Sequence, residues 1–107
     1  FVEGAIFVDS FFKESKDPFV MTFVKNFTEA YGVAPTLLEA NGYDTMRMIS
    51  TAVQKMGASG RDSVRDSLRG MIDFQGVAGK ISFNADGEAS RKLFVLTVSE
   101  GKIEEAK

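Results

Sequence analysis

The sequence predicts an α/β fold in which one strand is followed by three helices and then by two adjacent strands. Apolar residues recur at intervals of three and four through the middle of the chain, which is typical of helices. Near the end, Phe74 to Gly87 (F-Q-G-V-A-G-K-I-S-F-N-A-D-G) combines glycine turns with a half-buried strand pattern and suggests a piece of a larger protein. No repeat, low-complexity tract or linker divides the 107 residues, so one unit without an internal boundary is expected.

The first strand, Gly4 to Asp9, leads to a helix whose two ends are both marked in the sequence. Asp17 can cap it, Pro18 suits the first helical position, and Gly32 follows the last turn, so the helix is predicted over 18–31. The spacing of its apolar residues predicts one buried stripe, formed by Phe19, Val20, Phe23, Val24, Phe27, Ala30 and Tyr31.

Two further helices are predicted from capping patterns. Thr36-Leu37-Leu38-Glu39 has the capping-box form and opens a helix over 37–56, whereas Ser59 is expected to cap a helix over 60–71. The buried stripe of the longer helix is predicted to be Tyr43, Met46, Ile49 and Val53. Gly42 lies inside this helix, where glycine lowers the stability of the helix by roughly 1 kcal/mol relative to alanine. Tight packing against this position is expected to explain the glycine.

The last two predicted strands are expected to pair with each other. Gly79 to Phe83 alternates apolar and polar residues, Asn84 to Gly87 makes a turn, and Lys92 to Val98 is predicted to return antiparallel. Because Leu93 to Val98 is apolar on both faces, it is expected inside a covered sheet that ends at the turn of Glu100 to Lys102. Glu104 and Glu105 are expected in a polar tail beyond this turn.

The residue types exclude most catalytic and metal chemistry. With neither His nor Cys, the chain cannot form a Ser-His-Asp triad, a Cys-His pair or a thiolate or imidazole zinc site. Ser10 and Lys13 match S-x-x-K only by chance, since its companion motifs are absent. Asn84, Asp86 and Glu88 resemble part of a calcium loop, but a β-turn is the better interpretation. No enzymatic activity, cofactor or metal site is therefore expected.

The charge pattern does not favour nucleic acid or an anionic membrane as a partner. The net charge is −2 and the basic residues are scattered, while Arg61, Arg65 and Arg69 are expected to form a solvated helix face beside acidic neighbours. No apolar run approaches the roughly 20 residues of a membrane span. A chain that begins at Phe1 is expected to be processed or truncated, and its ten phenylalanines need partners. If the chain is isolated, we expect it to hide apolar surface in a dimer or a rearranged fold.

The ordered set of features resembles the C-terminal part of type 1 periplasmic binding proteins, the family that includes the leucine/isoleucine/valine-binding proteins of ABC importers. The set comprises the first strand and helix, the Tyr43-Asp44 pair, and the glycine pair Gly76 and Gly79 about thirty residues later. The resemblance implies a two-lobed α/β fold whose chain crosses between lobes several times. Most of residues 1–107 would then belong to the N-terminal lobe, with the first strand near one crossing and the extreme end returning toward the other lobe.

The resemblance also implies where a ligand would bind. In the family, the residue just before the helix that carries the tyrosine is often aromatic and touches the ligand side chain. The matching position is Leu38, with Glu39 adjacent, and Asp9 and Phe11 are expected near the crossing. Leucine in place of an aromatic leaves an apolar wall, and Glu39 has a competing function in the capping box. The residues that usually hold an amino acid's charged groups come from earlier segments of the family.

A structural role is expected for the Tyr43-Asp44 pair. Tyr43 lies on the predicted buried stripe, and Asp44 near the helix start interacts favourably with the helix dipole.

The resemblance thus implies an extracytoplasmic solute-binding component of an ABC importer, either periplasmic or anchored to the membrane. Its partners would be a small amino-acid-like ligand and the membrane permease. Two alternatives use the same fold: a lipoprotein activator of a cell-wall synthase, for which the Arg61/Arg65/Arg69 face would matter more, and the sensing domain of a receptor.

Overall fold

The computed structural model describes residues 2–55 and 57–106. Within them the chain forms three helices and six strands: β1 (Ile6–Asp9), α1 (Pro18–Tyr31), α2 (Leu37–Gln54), α3 (Arg61–Arg69), β2 (Phe74–Gly76), β3 (Gly79–Phe83), β4 (Ala89–Arg91), β5 (Phe94–Ser99) and β6 (Lys102–Glu105). The α/β class is confirmed, but the predicted order β-α-α-α-β-β missed β2, β4 and β6. Each of these strands is only three or four residues long, which is too short for a clear periodic pattern.

Helix α1 has the predicted bounds, and its caps explain them. The Asp17 carboxylate accepts a hydrogen bond from the Phe19 N–H at 2.8 Å, and Gly32 ends the helix in the left-handed conformation at φ 75°. Val20 and Phe23 are buried, as predicted, whereas Tyr31 is 69% exposed and does not belong to the core.

Helix α2 begins at the predicted capping box, but the face it buries within this chain is not the predicted one. The inward face carries Ala40, Asp44, Met48 and Ala52. Tyr43, Met46 and Val53 are 43%, 62% and 48% exposed, so the predicted stripe is wrong for this chain. The inward face carries an aspartate and two small alanines, so its residues do not form a strongly apolar pattern in the sequence. The sequence therefore did not predict that this face is buried. A β-carbon added at Gly42 would meet no heavy atom within 4 Å, so the tight packing expected there is wrong for the described residues. The predicted helix end at Met56 lies outside the described residues.

The inward face of α2 is held by the turn between β2 and β3. Asp44 is 1% exposed; its Oδ1 accepts the Val77 N–H at 2.8 Å and its Oδ2 accepts the Ala78 N–H at 3.0 Å. The structural role expected for Asp44 is thereby confirmed, although its partners are two backbone amides rather than the helix dipole. Tyr43 packs on the Phe23 ring with centroids 4.7 Å apart and stays partly exposed.

Helix α3 is shorter than predicted and starts without the expected serine cap. Gly60 occupies the N-cap position at φ 82°, and no side chain caps the helix there. The arginine face is solvated, as expected: Arg65 lies 3.5 Å from Asp62 and 3.1 Å from Asp66, with all three side chains exposed. Val64 and Leu68, on the other side, pack on the core formed by Met48, Ala52, Ala58, Met71 and Ile81.

The strands form two separate antiparallel sheets, ordered β1-β5-β6 and β2-β3-β4. The predicted pairing of Gly79 to Phe83 with Lys92 to Val98 is wrong: β3 pairs with β2 and β4, while β5 pairs with β1 and β6. The turn expected at Asn84 to Gly87 is present, but it leads into the short β4. Residues 92–93 are outside the strands and carry the chain from one sheet to the other.

Strand β5 is buried on one face only, contrary to the prediction of a covered sheet. Leu96 and Val98 are 2% and 3% exposed, whereas Val95, on the other face of the strand, is 48% exposed. At the far end, Glu100 (φ 52°) and Gly101 (φ 73°) form a tight turn into β6. Glu104 and Glu105 therefore lie in a strand and not in a polar tail.

Candidate ligand cleft

Two segments connect the β1-β5-β6 sheet to the rest of the chain. The first begins at Asp9, whose Oδ1 accepts the N–H groups of Ser10 at 2.7 Å and Phe11 at 3.3 Å and so turns the chain out of β1. The second is residues 92–93, between β4 and β5. Two spaces lined both by residues of this sheet and by residues of the rest of the chain lie beside these segments.

Buried rings fix both connecting segments. Phe11 is 6% exposed and packs edge-on against Phe23 of α1, with centroids 6.1 Å apart. Phe12 is 8% exposed and packs against Phe94, at the start of β5, with centroids 6.2 Å apart. Phe11 therefore packs the first segment against the helices, and Phe12 packs it against the start of β5, directly after the second segment.

A cavity of about 630 Å³ lies between the sheet and the start of α2. This volume is in the range of small-molecule sites. Its lining combines apolar and charged side chains: Phe7, Phe11, Phe12, Ala34, Pro35, Leu37, Leu96 and Ile103 with Asp9, Lys13, Glu14, Lys102 and Glu104, together with Thr36 and Gly101. A lining that combines apolar side chains with charges of both signs suits a ligand that carries an ammonium, a carboxylate and an apolar body.

A second space, of about 600 Å³, lies beside the second connecting segment, whose residues Lys92 and Leu93 help to line it. Its lining includes Asp17, Gln75, Lys80, Lys92 and Glu105. None of the four residues predicted for the ligand site lines it, and its walls are more polar. The first cavity is therefore the better candidate.

The structure places the four predicted site residues in two groups. Asp9 and Phe11 line the cavity. Leu38 and Glu39 do not line it; they lie in the first turn of α2, directly after the lining residues Thr36 and Leu37, and Leu38 is 78% exposed. In this chain the second pair is thus at the edge of the cleft.

Glu39 is engaged in the helix cap. Its Oε2 accepts the Thr36 N–H at 2.7 Å and hydrogen-bonds to the Thr36 hydroxyl. The hydroxyl first, and then the backbone N–H groups of Thr36 and Glu39, lower the pKa of this carboxyl below its usual range. The side chain is therefore an anion that orients the start of α2, with part of its accepting capacity already used.

Sequence reasoning missed several lining residues. Lys102 and Glu104 were assigned to a turn and a tail, although the alternation Lys102-Ile103-Glu104 after a Glu-Gly turn is a hairpin signal. Thr36 and Leu37 were assigned only to the capping box. Within the described part of the chain, no cluster of acidic side chains could hold a metal ion, and no helix is long and apolar enough to cross a membrane.

Comparison with known proteins places this geometry in a family. A family model described as periplasmic binding protein matches residues 1–102. A protein from Rhodospirillum rubrum, assigned as a branched-chain amino acid ABC transporter, is 34% identical and superimposes with a TM-score of 0.91, covering 98% of this chain and 31% of that protein. A search of curated proteins found no match.

Two further solved structures are similar. The leucine-binding protein LivK from Thermotoga maritima is 28% identical with a TM-score of 0.76, covering 99% of this chain and 31% of its own. The substrate-binding protein LivJ from Streptococcus pneumoniae, solved with isoleucine, is 26% identical with a TM-score of 0.78, covering 92% and 28%. This chain thus spans about a third of the length of the structures it matches. Because the family model matches residues 1–102, this chain belongs to the periplasmic binding protein family, whose members bind solutes.

Proposed function

We propose that this chain is the C-terminal third of an extracytoplasmic solute-binding protein that serves an ABC importer. The observation that carries the proposal is the 34% identity over 98% of the chain to the branched-chain amino acid transporter protein of R. rubrum. Residues 10–91 would lie mostly in the N-terminal lobe, and β1, β5 and β6 would lie at the crossing toward the other lobe. The permease of the importer would be its membrane partner.

The ligand we propose is an amino acid or a similar small polar metabolite with an apolar side chain. The cavity supports this class because Phe11, Leu37 and Leu96 offer apolar contact while Asp9 and Lys13 offer charges of both signs. A zwitterion loses hydration when it enters a cleft, so several placed donors and acceptors must replace the lost water. This chain supplies one wall, and the other lobe would supply the rest. The proposed role is binding, without a chemical step.

Calorimetry on two proteins tests this proposal: the intact protein that contains this chain, and residues 1–107 alone. The ligands are leucine, isoleucine and valine. The intact protein is expected to bind at least one of them, whereas the isolated chain is expected to show no micromolar binding.

Leu38→Asp in the intact protein tests the edge of the cleft. A carboxylate there would repel the ligand carboxylate, so affinity should fall at least about tenfold, or about 1.4 kcal/mol. The fold should survive because Leu38 is exposed and an acidic residue suits the first helical turn. Lys25→Asp, on an exposed position of α1 outside the cleft, is the matched control and should bind normally. Micromolar binding by the isolated chain, or unchanged affinity in Leu38→Asp, would contradict this placement of the site.

A further inference from the structure

The turn between β5 and β6 contains a glutamate in an unfavourable backbone conformation. Glu100 has a φ of 52° and Gly101 has a φ of 73°, so both residues are left-handed. Glycine adopts this conformation readily, whereas the β-carbon of a glutamate comes too close to the following carbonyl oxygen. A residue of this kind stays left-handed only where the surrounding structure holds its backbone in place.

The carboxylate of Glu3, far away in the sequence, binds the backbone of this turn. Its Oε1 accepts the N–H of Glu100 at 2.7 Å, and its Oε2 accepts the N–H of Gly101 at 3.2 Å. Hydrogen bonds to an ionised carboxylate are stronger than those between neutral groups. One side chain therefore binds both left-handed residues through their backbone.

Backbone hydrogen bonds place Glu3 beside the turn. The Gly4 N–H donates to the Val98 carbonyl at 2.9 Å, and the Val98 N–H donates to the Ala5 carbonyl at 3.3 Å. These bonds continue the antiparallel pairing of β1 with β5 beyond Ile6. The position of Glu3 is therefore set by the same sheet whose turn it binds.

The turn forms part of the wall of the candidate ligand cavity. Gly101 and Lys102 line this cavity of about 630 Å³, whereas Glu3 and Glu100 do not line it. Because Lys102 directly follows the two left-handed residues, a different backbone conformation at the turn would move its ammonium group relative to the cavity. Glu3 can therefore affect a ligand through the turn, without touching it.

We propose that Glu3 is a positioning residue of the ligand cavity: its carboxylate fixes the left-handed turn and thereby the place of Lys102 in the cavity wall. The inference rests on the proposed function, because it requires that the ligand binds in this cavity. A wall that is already in place loses less conformational freedom when the ligand enters, and this favours binding. The sequence predicted no role for Glu3.

Glu3→Gln in the intact protein tests this inference. The glutamine amide has only one oxygen for the two N–H groups, and its own NH2 group would face the other. The binding conformation of the turn should then be less populated, so the affinity for leucine, isoleucine or valine, measured by calorimetry, should fall at least about threefold. Glu29→Gln removes the same charge from an exposed position of α1 outside the cavity and should bind as the wild type does.

Substitutions of Glu100 distinguish positioning from a loss of stability alone. Asparagine tolerates the left-handed conformation, so Glu100→Asn should restore the affinity of the Glu3→Gln variant. Glu100→Gln is equally neutral but lacks this tolerance, and it should not restore the affinity. The proposal is wrong if Glu3→Gln lowers Tm but leaves the affinity unchanged, if asparagine fails to restore the affinity, or if glutamine restores it equally well.

Amide hydrogen exchange separates this inference from the proposed function. The amides of Glu100 and Gly101 are expected to exchange at least about threefold faster in Glu3→Gln than in the wild type, even without ligand. If the wild type bound none of the three amino acids, the proposed ligand class would fail, and the exchange rates would still show whether Glu3 fixes the turn. Equal exchange rates in the two proteins would overturn the inference in either case.

Discussion

The carboxylate of Asp44 occupies the space that a side chain at Gly76 would need. A β-carbon built on Gly76 would stand 2.5 Å from Oδ2 and 2.8 Å from the carboxyl carbon of Asp44. The aspartate reaches past this glycine to the N–H groups of Val77 and Ala78, both of which are fully buried. The close contact between Asp44 and Gly76 therefore attaches α2 to the β2–β3 turn.

Asp44→Ala should destabilise the chain by about 3–5 kcal/mol, because it leaves two buried N–H groups without acceptors. Asp44→Asn keeps one carbonyl acceptor and should lose clearly less. Urea unfolding followed by circular dichroism measures both values. A loss below about 1 kcal/mol for the alanine variant would show that water replaces the carboxylate.

Gly76→Ala should destabilise by about 1–3 kcal/mol through overpacking against the same carboxylate. In the Asp44→Ala background the collision with the carboxylate is removed, while the Gly79 carbonyl oxygen remains 2.9 Å from the added β-carbon. The additional cost of Gly76→Ala should therefore shrink without vanishing, and a double-mutant cycle measures this coupling. Gly87→Ala is a poor control because its φ is 84°, whereas Gly70→Ala, at a negative φ with contacts of 3.6 Å, is a suitable one. Additive effects of Asp44→Ala and Gly76→Ala on the free energy of unfolding would contradict an energetic coupling between the two residues.

The sequence predicted correctly those helix ends that neighbouring residues determine. It did not predict contacts whose two partners are far apart in the chain. The bounds of α1 follow from Asp17, Pro18 and Gly32, because capping acts within a turn of the helix. The inward face of α2 was missed because its centre is a carboxylate whose partners lie more than thirty residues away. The stripe that periodicity selected instead, with Met46 and Val53, is exposed among the described residues.

The sheet pairing failed for a related reason. A turn at Asn84 to Gly87 followed by an apolar strand is a hairpin signal, and nothing local shows that the apolar strand belongs to another sheet. Its partner β1 is more than eighty residues upstream, with Val8 opposite Val95. In the cleft, Asp9 was placed through the family resemblance, whereas Lys102 and Glu104 depended on recognising the short β6.

The lowered pKa of Glu39 predicts a pH dependence of stability in the acid range. A carboxyl whose folded pKa is depressed stabilises the fold above its unfolded pKa, about 4.3, and this stability is lost as the pH falls through the folded value. Glu39→Gln keeps an acceptor for the Thr36 N–H but cannot titrate. Its unfolding midpoint should therefore change less than that of the wild type below about pH 4.3. Parallel pH profiles for the two proteins would contradict the contribution of the capping box.

Arg47 is expected to contribute through its guanidinium group and not through its charge alone. Its Nη1 donates to the Gln75 carbonyl at 2.8 Å, and its guanidinium carbon lies 4.7 Å from the ring centroid of Phe19 and 5.1 Å from that of Phe74. Arg47→Lys keeps the charge but loses the planar stacking, and should cost about 1 kcal/mol. Arg47→Ala should cost about 2 kcal/mol. Equal stability of the lysine variant and the wild type, measured by urea unfolding, would assign the effect to charge.

The contact between Phe12 and Phe94 predicts that the β1-β5-β6 sheet can be loosened separately from the helices. Phe12 is the ring by which the first connecting segment holds the start of β5. Phe12→Ala removes a ring that is 8% exposed, so a loss of about 3–5 kcal/mol is expected, whereas Phe12→Leu should lose clearly less. Hydrogen exchange resolved by residue distinguishes a local effect from a global one. Amides of Leu96 and Val98 should exchange faster in Phe12→Ala, while those of Val77 and Ala78, bonded to Asp44, should keep more of their protection. An equal loss at all four amides would mean that the sheet and the helices unfold as one cooperative unit, and that the two connecting segments are not a point of independent motion.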